Sequence, residues 1–69
     1  MYRIEIRTHN GYEKVVKFID KEYAMFCFNN FIEAIDAAYV VMTDGLTGEL
    51  LIEFKNGKLE LFSWKVLFN

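Results

Sequence analysis

Apolar and polar residues alternate from the first positions. Tyr2, Ile4 and Ile6 interleave with Arg3, Glu5 and Arg7, which is the period of a strand with one buried face. Asn10-Gly11 then turns the chain. A strict two-residue loop would set Arg7 against Lys14 and Ile4 against Lys17. A three-residue loop of His9, Asn10 and a left-handed Gly11 instead sets Arg7 against Glu13, Ile4 against Val16 and Tyr2 against Phe18. The second register pairs unlike charges and like apolar groups, so a second strand is expected over about 12–19.

Beyond that strand the period becomes helical. Asp20 suits an N-cap, because its carboxylate can accept the free N–H groups of the first turn and favours the positive end of the helix dipole. The helix is expected to run to about Asp36. At 100° per residue Ala24, Phe28, Phe31, Ile32 and Ile35 share one stripe with Met25 and Cys27 at its margins, and Glu22, Asn29, Asn30, Glu33 and Asp36 lie opposite. Phe26 falls within the polar side with Tyr23 three residues before it. Either the helix is covered on two sides, or Tyr23 and Phe26 form an exposed aromatic spot ringed by Glu22, Asn30 and Glu33.

Residues 37–43 are apolar on both parities and predict a third strand, central in the sheet. Asp44-Gly45-Leu46-Thr47-Gly48 follows as a hairpin loop. It lacks the Gly-Lys-Ser/Thr continuation and the following helix that a phosphate loop needs. Asn56-Gly57 then sits between two alternating runs over 49–64, and both residues tolerate the positive φ of a type I′ turn. That turn sets Phe54 against Leu59, Ile52 against Leu61 and Leu50 against Ser63 on one side. On the other it sets Glu53 against Glu60 and Leu51 against Phe62. Leu51, Phe62 and Trp64 are thereby expected to form an outward apolar strip bordered by the Glu53 and Glu60 carboxylates, either a binding face or a surface that the tail or the first hairpin folds over and buries. The apolar tail after Trp64 is expected to continue the strand or to pack along its edge.

The element order is ββαβββ, a single two-layer α+β domain over 1–69 with one helix packed on a mainly antiparallel sheet. A chain this short buries only about 60% of its unfolded surface, and its 17% aromatic content partly offsets that shortage. The lone Cys27 and the lack of a charged-then-apolar leader predict a reducing, cytoplasmic setting, and no apolar run has the length of a membrane span. The net charge of −2 is unevenly spread: residues 1–19 carry +2, residues 20–54 carry −6 and residues 55–69 carry +2. An acidic middle either is the solvated face of a helix or repels phosphate and attracts basic surfaces, which places a protein partner, and a basic one, ahead of nucleic acid.

Chemistry finds little to work with. A nucleophile needs a base within hydrogen-bond reach, and the chain has one His, in a turn, and one Cys, on a helix expected to pack inward. Zinc lacks ligands at any ordinary count, and no cofactor motif is present. Glu53 and Glu60 are the one carboxylate pair with a predicted geometry, and they project from a flat sheet where active sites are concave. The expectation is therefore a non-enzymatic protein-binding module. Its candidate residues are Leu51, Glu53, Glu60, Phe62 and Trp64 on the last hairpin and Glu22, Tyr23, Phe26 and Glu33 on the helix. In size, acidity and lack of catalytic residues the chain is similar to the small inhibitors, of anti-CRISPR or anti-restriction type, that mobile elements such as phages direct against host defence nucleases. That likeness implies a basic host enzyme as partner and rests on no motif. Two other classes compete: a homo-oligomeric structural subunit, such as a homodimer, joined through the open sheet face, and a nucleic-acid binder using Arg3, Arg7, Lys14 and Lys17.

Overall fold

The computed structural model describes residues 1–34 and 36–66. Five strands, β1 (Tyr2–Thr8), β2 (Glu13–Phe18), β3 (Ala37–Asp44), β4 (Leu50–Lys55) and β5 (Lys58–Leu61), make one antiparallel sheet in the order β2-β1-β3-β4-β5. The helix α1 (Lys21–Ile32) packs on β3, β1 and β2. A single 3-10 turn, η1 (Trp64–Val66), packs on β4. This is the α+β fold read from the pattern, with β3 in the centre as its two-sided apolar composition requires.

Both tight turns set the expected registers. Gly11 has φ 92° and β1 meets β2 with Arg7 opposite Glu13, Ile4 opposite Val16 and Tyr2 opposite Phe18. At the last hairpin Asn56 (φ 52°) and Gly57 (φ 79°) place Phe54 opposite Leu59, Ile52 opposite Leu61 and Glu53 opposite Glu60. Asp20 caps α1, its carboxylate accepting the Tyr23 N–H at 3.0 Å.

One face of the sheet is the core. Ile4, Ile6, Phe18, Val40, Met42 and Ile52 pack with Ala24 and Phe28 of the helix, and Met25, Cys27, Phe31 and Ile32 border them half-buried. The helix is shorter than its pattern suggested. It ends at the Glu33 C-cap, where the Ala34 N–H donates to the Phe31 carbonyl at 3.1 Å, and β3 begins at Ala37. The stripe position Ile35 lies outside the described residues, as do tail residues 67–69. The described part of the tail, Lys65 and Val66, does not extend the fifth strand. β5 stops at Leu61, and Val66 turns back into the core, 5% exposed. No helix among the described residues is long and apolar enough to cross a membrane.

Candidate functional site

The sheet face away from the helix is an ordered array of charge. Strand pairing lines up three rows across it: Lys17, Arg3 and Thr43; Val15, Glu5, Val41, Glu53 and Glu60; and Glu13, Arg7, Tyr39, Lys55 and Lys58. Glu5 lies 3.6 Å from both Arg3 and Arg7, and Arg7 donates to Glu13 at 2.8 Å. The Arg7 guanidinium also sits 5.6 Å from the Tyr39 ring centre. Burial and then the neighbouring Glu53 carboxylate push the Tyr39 hydroxyl above its usual titration range. Val41, 4% exposed, fills the space between these groups. On β1 and β3 this face thus carries ion-paired charges and one tyrosine, while toward the β2 edge Lys17 lies opposite Arg3 and Val15 is exposed.

The β4–β5 hairpin departs from that balance. Glu53 opposes Glu60 and Lys55 opposes Lys58, so each cross-strand pair carries like charges. A shallow depression of about 250 Å³ lies among these four side chains and Asn56. Among the described residues no ion pair engages Lys55, Lys58 or Glu60, whereas Glu5, Glu13 and Glu49 all have partners.

Leu51 corrects the expected apolar strip. It is fully buried in the core and does not face outward beside Phe62 and Trp64. The reason is a bulge: Met42 pairs with Ile52 and Thr43 with Leu50, leaving Leu51 as an extra residue without a partner on β3. Its carbonyl accepts the N–H groups of Phe62 (2.9 Å) and Ser63 (3.1 Å), which bends the chain out of β5 and into η1. Lys65 then bonds Glu49 at 2.6 Å and ties η1 to the start of β4. The expected pairing of Leu50 with Ser63 is likewise absent from the ladder, which ends at Leu61.

Apolar exposure concentrates beyond the reach of the helix. Leu59 (56%), Leu61 (38%), Phe62 (46%) and Trp64 (67%) are exposed within six residues of one another at the free β5 edge. Phe62 and Trp64 were legible in the sequence as exposed aromatics. Leu59 and Leu61 were not, because their parity places them on the core side, and only the short reach of α1 leaves that side uncovered over β5. On the helix, Glu22, Tyr23, Phe26 and Glu33 are all exposed or partly exposed. Tyr23 rests its ring edge-on against Phe18 at 5.5 Å, while Phe26 is 62% exposed, so the exposed alternative for this pair holds.

His9 lies in the β1–β2 loop and Cys27 is half-buried on the helix. Among the described residues no group of three His, Cys, Asp or Glu side chains could hold a metal. The Asp44 carboxylate accepts the N–H groups of Leu46 (2.8 Å) and Thr47 (3.1 Å), which holds its pKa below the usual aspartate value and commits it to shaping its own loop. No protein-family model, curated protein or solved structure matches the chain.

Proposed function

We propose that the chain is a non-enzymatic protein-binding module whose principal contact surface is the β5 edge with Phe62 and Trp64. The observation that supports this is the run of four exposed large apolar side chains at residues 59, 61, 62 and 64, beside a core whose Phe28, Ile4, Met42 and Leu51 are fully enclosed. Such a run sets aromatic anchors beside the open edge of β5, the two components of recognition by strand addition. The exposed helix patch of Glu22, Tyr23, Phe26 and Glu33 is a second contact of the same kind, and its charge suits a basic partner. A basic host nuclease met in the cytoplasm is one partner of that chemistry.

The test is capture on the immobilised chain from the source cell, with Phe62→Ala and Trp64→Ala compared against the parent. A central aromatic anchor lost from the contact weakens binding by about 2 kcal/mol or more. A partner held equally well by the parent and both variants would remove the β5 edge from the function.

A further inference from the structure

The β5 edge has a charge order that is wrong for its own hairpin and right for a second copy of itself. Within the chain, Lys58 faces Lys55 and Glu60 faces Glu53, and exchanging Lys58 with Glu60 would turn both repulsions into attractions. Across the open edge, geometry decides which residues can bond. In a two-residue hairpin the flanking pair, Lys55 and Lys58, exchange hydrogen bonds, and the alternation then turns the N–H and C=O of Leu59 and Leu61 away from β4. The Phe62 N–H bonding inward to Leu51 has the parity this requires.

An antiparallel two-fold pairing must therefore bring outward residues together, and the strand offers two such registers within its length. Centred on Glu60, it sets Glu60 against Glu60. Centred on Leu59, it sets Leu59 against Leu59, with two backbone hydrogen bonds, and Lys58 of each copy against Glu60 of the other. We propose that the chain pairs with a second copy of itself through β5 in the Leu59-centred register, making one continuous ten-stranded sheet. The contact gives Lys58 and Glu60 the opposite charges that their own hairpin withholds, and on the face that the helix leaves bare it sets Leu59 against Leu59 of the other copy, with each Leu61 opposite the other copy's Gly57 and diagonal to its Leu59. The other edge is less suited: on β2 the Glu13 carboxylate is already taken by Arg7, and Val15 is the one exposed aliphatic side chain of that strand. This inference rests on the β5 edge being a contact surface and names its occupant.

The experiment is light scattering after size exclusion from about 10 μM to 1 mM, the range in which a small interface associates. The parent is expected to move with concentration from 8.2 kDa toward twice that mass. Lys58→Glu and Glu60→Lys, each alone, should weaken the dimer about tenfold or more, since each sets two like-charge pairs across the two-fold axis. Each also relieves a like-charge pair inside the hairpin, so the variants should fold at least as well as the parent. Mixed in equal amounts they should dimerise again. One variant then brings carboxylates at both positions and the other brings ammonium groups at both, so each pair across the axis joins opposite charges. In parallel, the Leu59 amide should exchange more slowly with solvent as concentration rises. A parent that stays monomeric throughout, a dimer indifferent to both reversals, or a dimer broken instead by Lys17→Glu on β2 would each overturn the proposal. If the chain stays monomeric while Phe62→Ala or Trp64→Ala abolishes capture of another protein, the self-pairing fails and the contact surface stands.

Discussion

Replacing Phe28 by alanine tests the phase of the helix and, with it, the arrangement of both candidate surfaces. Phe28 is fully buried where α1 meets the sheet, packed in one cluster with Ile4, Val40 and Met42. Truncating a buried phenylalanine costs about 3–5 kcal/mol, the sum of lost transfer energy and the cavity left behind. A domain of 69 residues has a total stability of roughly 3–10 kcal/mol at about 0.05–0.15 kcal/mol per residue. The substitution therefore removes roughly a third of the stability or more, and at the lower bound all of it. Phe26, two residues earlier and 62% exposed, serves as the internal control, and Phe26→Ala should stay within about 0.5 kcal/mol of the parent. Urea unfolding followed by far-UV circular dichroism measures both, with a common slope showing that the unfolded state is unchanged. Where Phe28→Ala does not fold, Phe28→Leu keeps the comparison on scale, since each kcal/mol lost lowers the melting temperature by roughly 4–8 °C in a domain this small. Equal midpoints for Phe28→Ala and the parent, or a larger loss for Phe26→Ala, would refute the helical phase and the outward placement of Tyr23 and Phe26.

Gly57→Ala meets no steric neighbour, yet a Cβ at φ 79° costs about 1–2 kcal/mol, so the midpoint in the same urea experiment should fall by that amount. Asp20→Ala should lower stability by about 1 kcal/mol through loss of the cap on Tyr23, and retention of full stability would show the cap to be idle. The Asp44 carboxyl, depressed by the Leu46 and then the Thr47 N–H groups, stabilises the fold above its unfolded pKa of about 3.9. That contribution is lost as pH falls through the lower folded value. Asp44→Asn should therefore reduce the acid sensitivity of the urea midpoint below about pH 4, and a carboxyl resonance titrating at the ordinary aspartate value would contradict it. Reversing Glu22 and Glu33 on the helix together with Asp36 in the turn before β3 should slow association with a basic partner and flatten its dependence on salt while the melting curve is retained, whereas rates indifferent to both would exclude this acidic surface.

Local chemistry alone determined much of this protein. Asn56-Gly57 and the loop ending in Gly11 set two hairpin registers, because a turn's dihedral angles dictate which residues can face each other a few positions away. Asp20 and the spacing of Ala24, Phe28, Phe31 and Ile32 likewise specified where the helix starts and which side it buries. Three features depended on contacts between distant segments. The pairing of β1 with β3 sets the strand order and brings Glu5, Arg7, Tyr39 and Glu53 into one charged array, and no turn connects those strands to announce it. The bulge at Leu51 arises from the fit of β4 against β3, and one extra residue was enough to move that side chain from the expected outer strip into the core. Leu59 and Leu61 carry the alternation of core residues and are nonetheless exposed. A period-2 pattern records which face a side chain takes, whereas the length and placement of α1 decide how much of that face is covered.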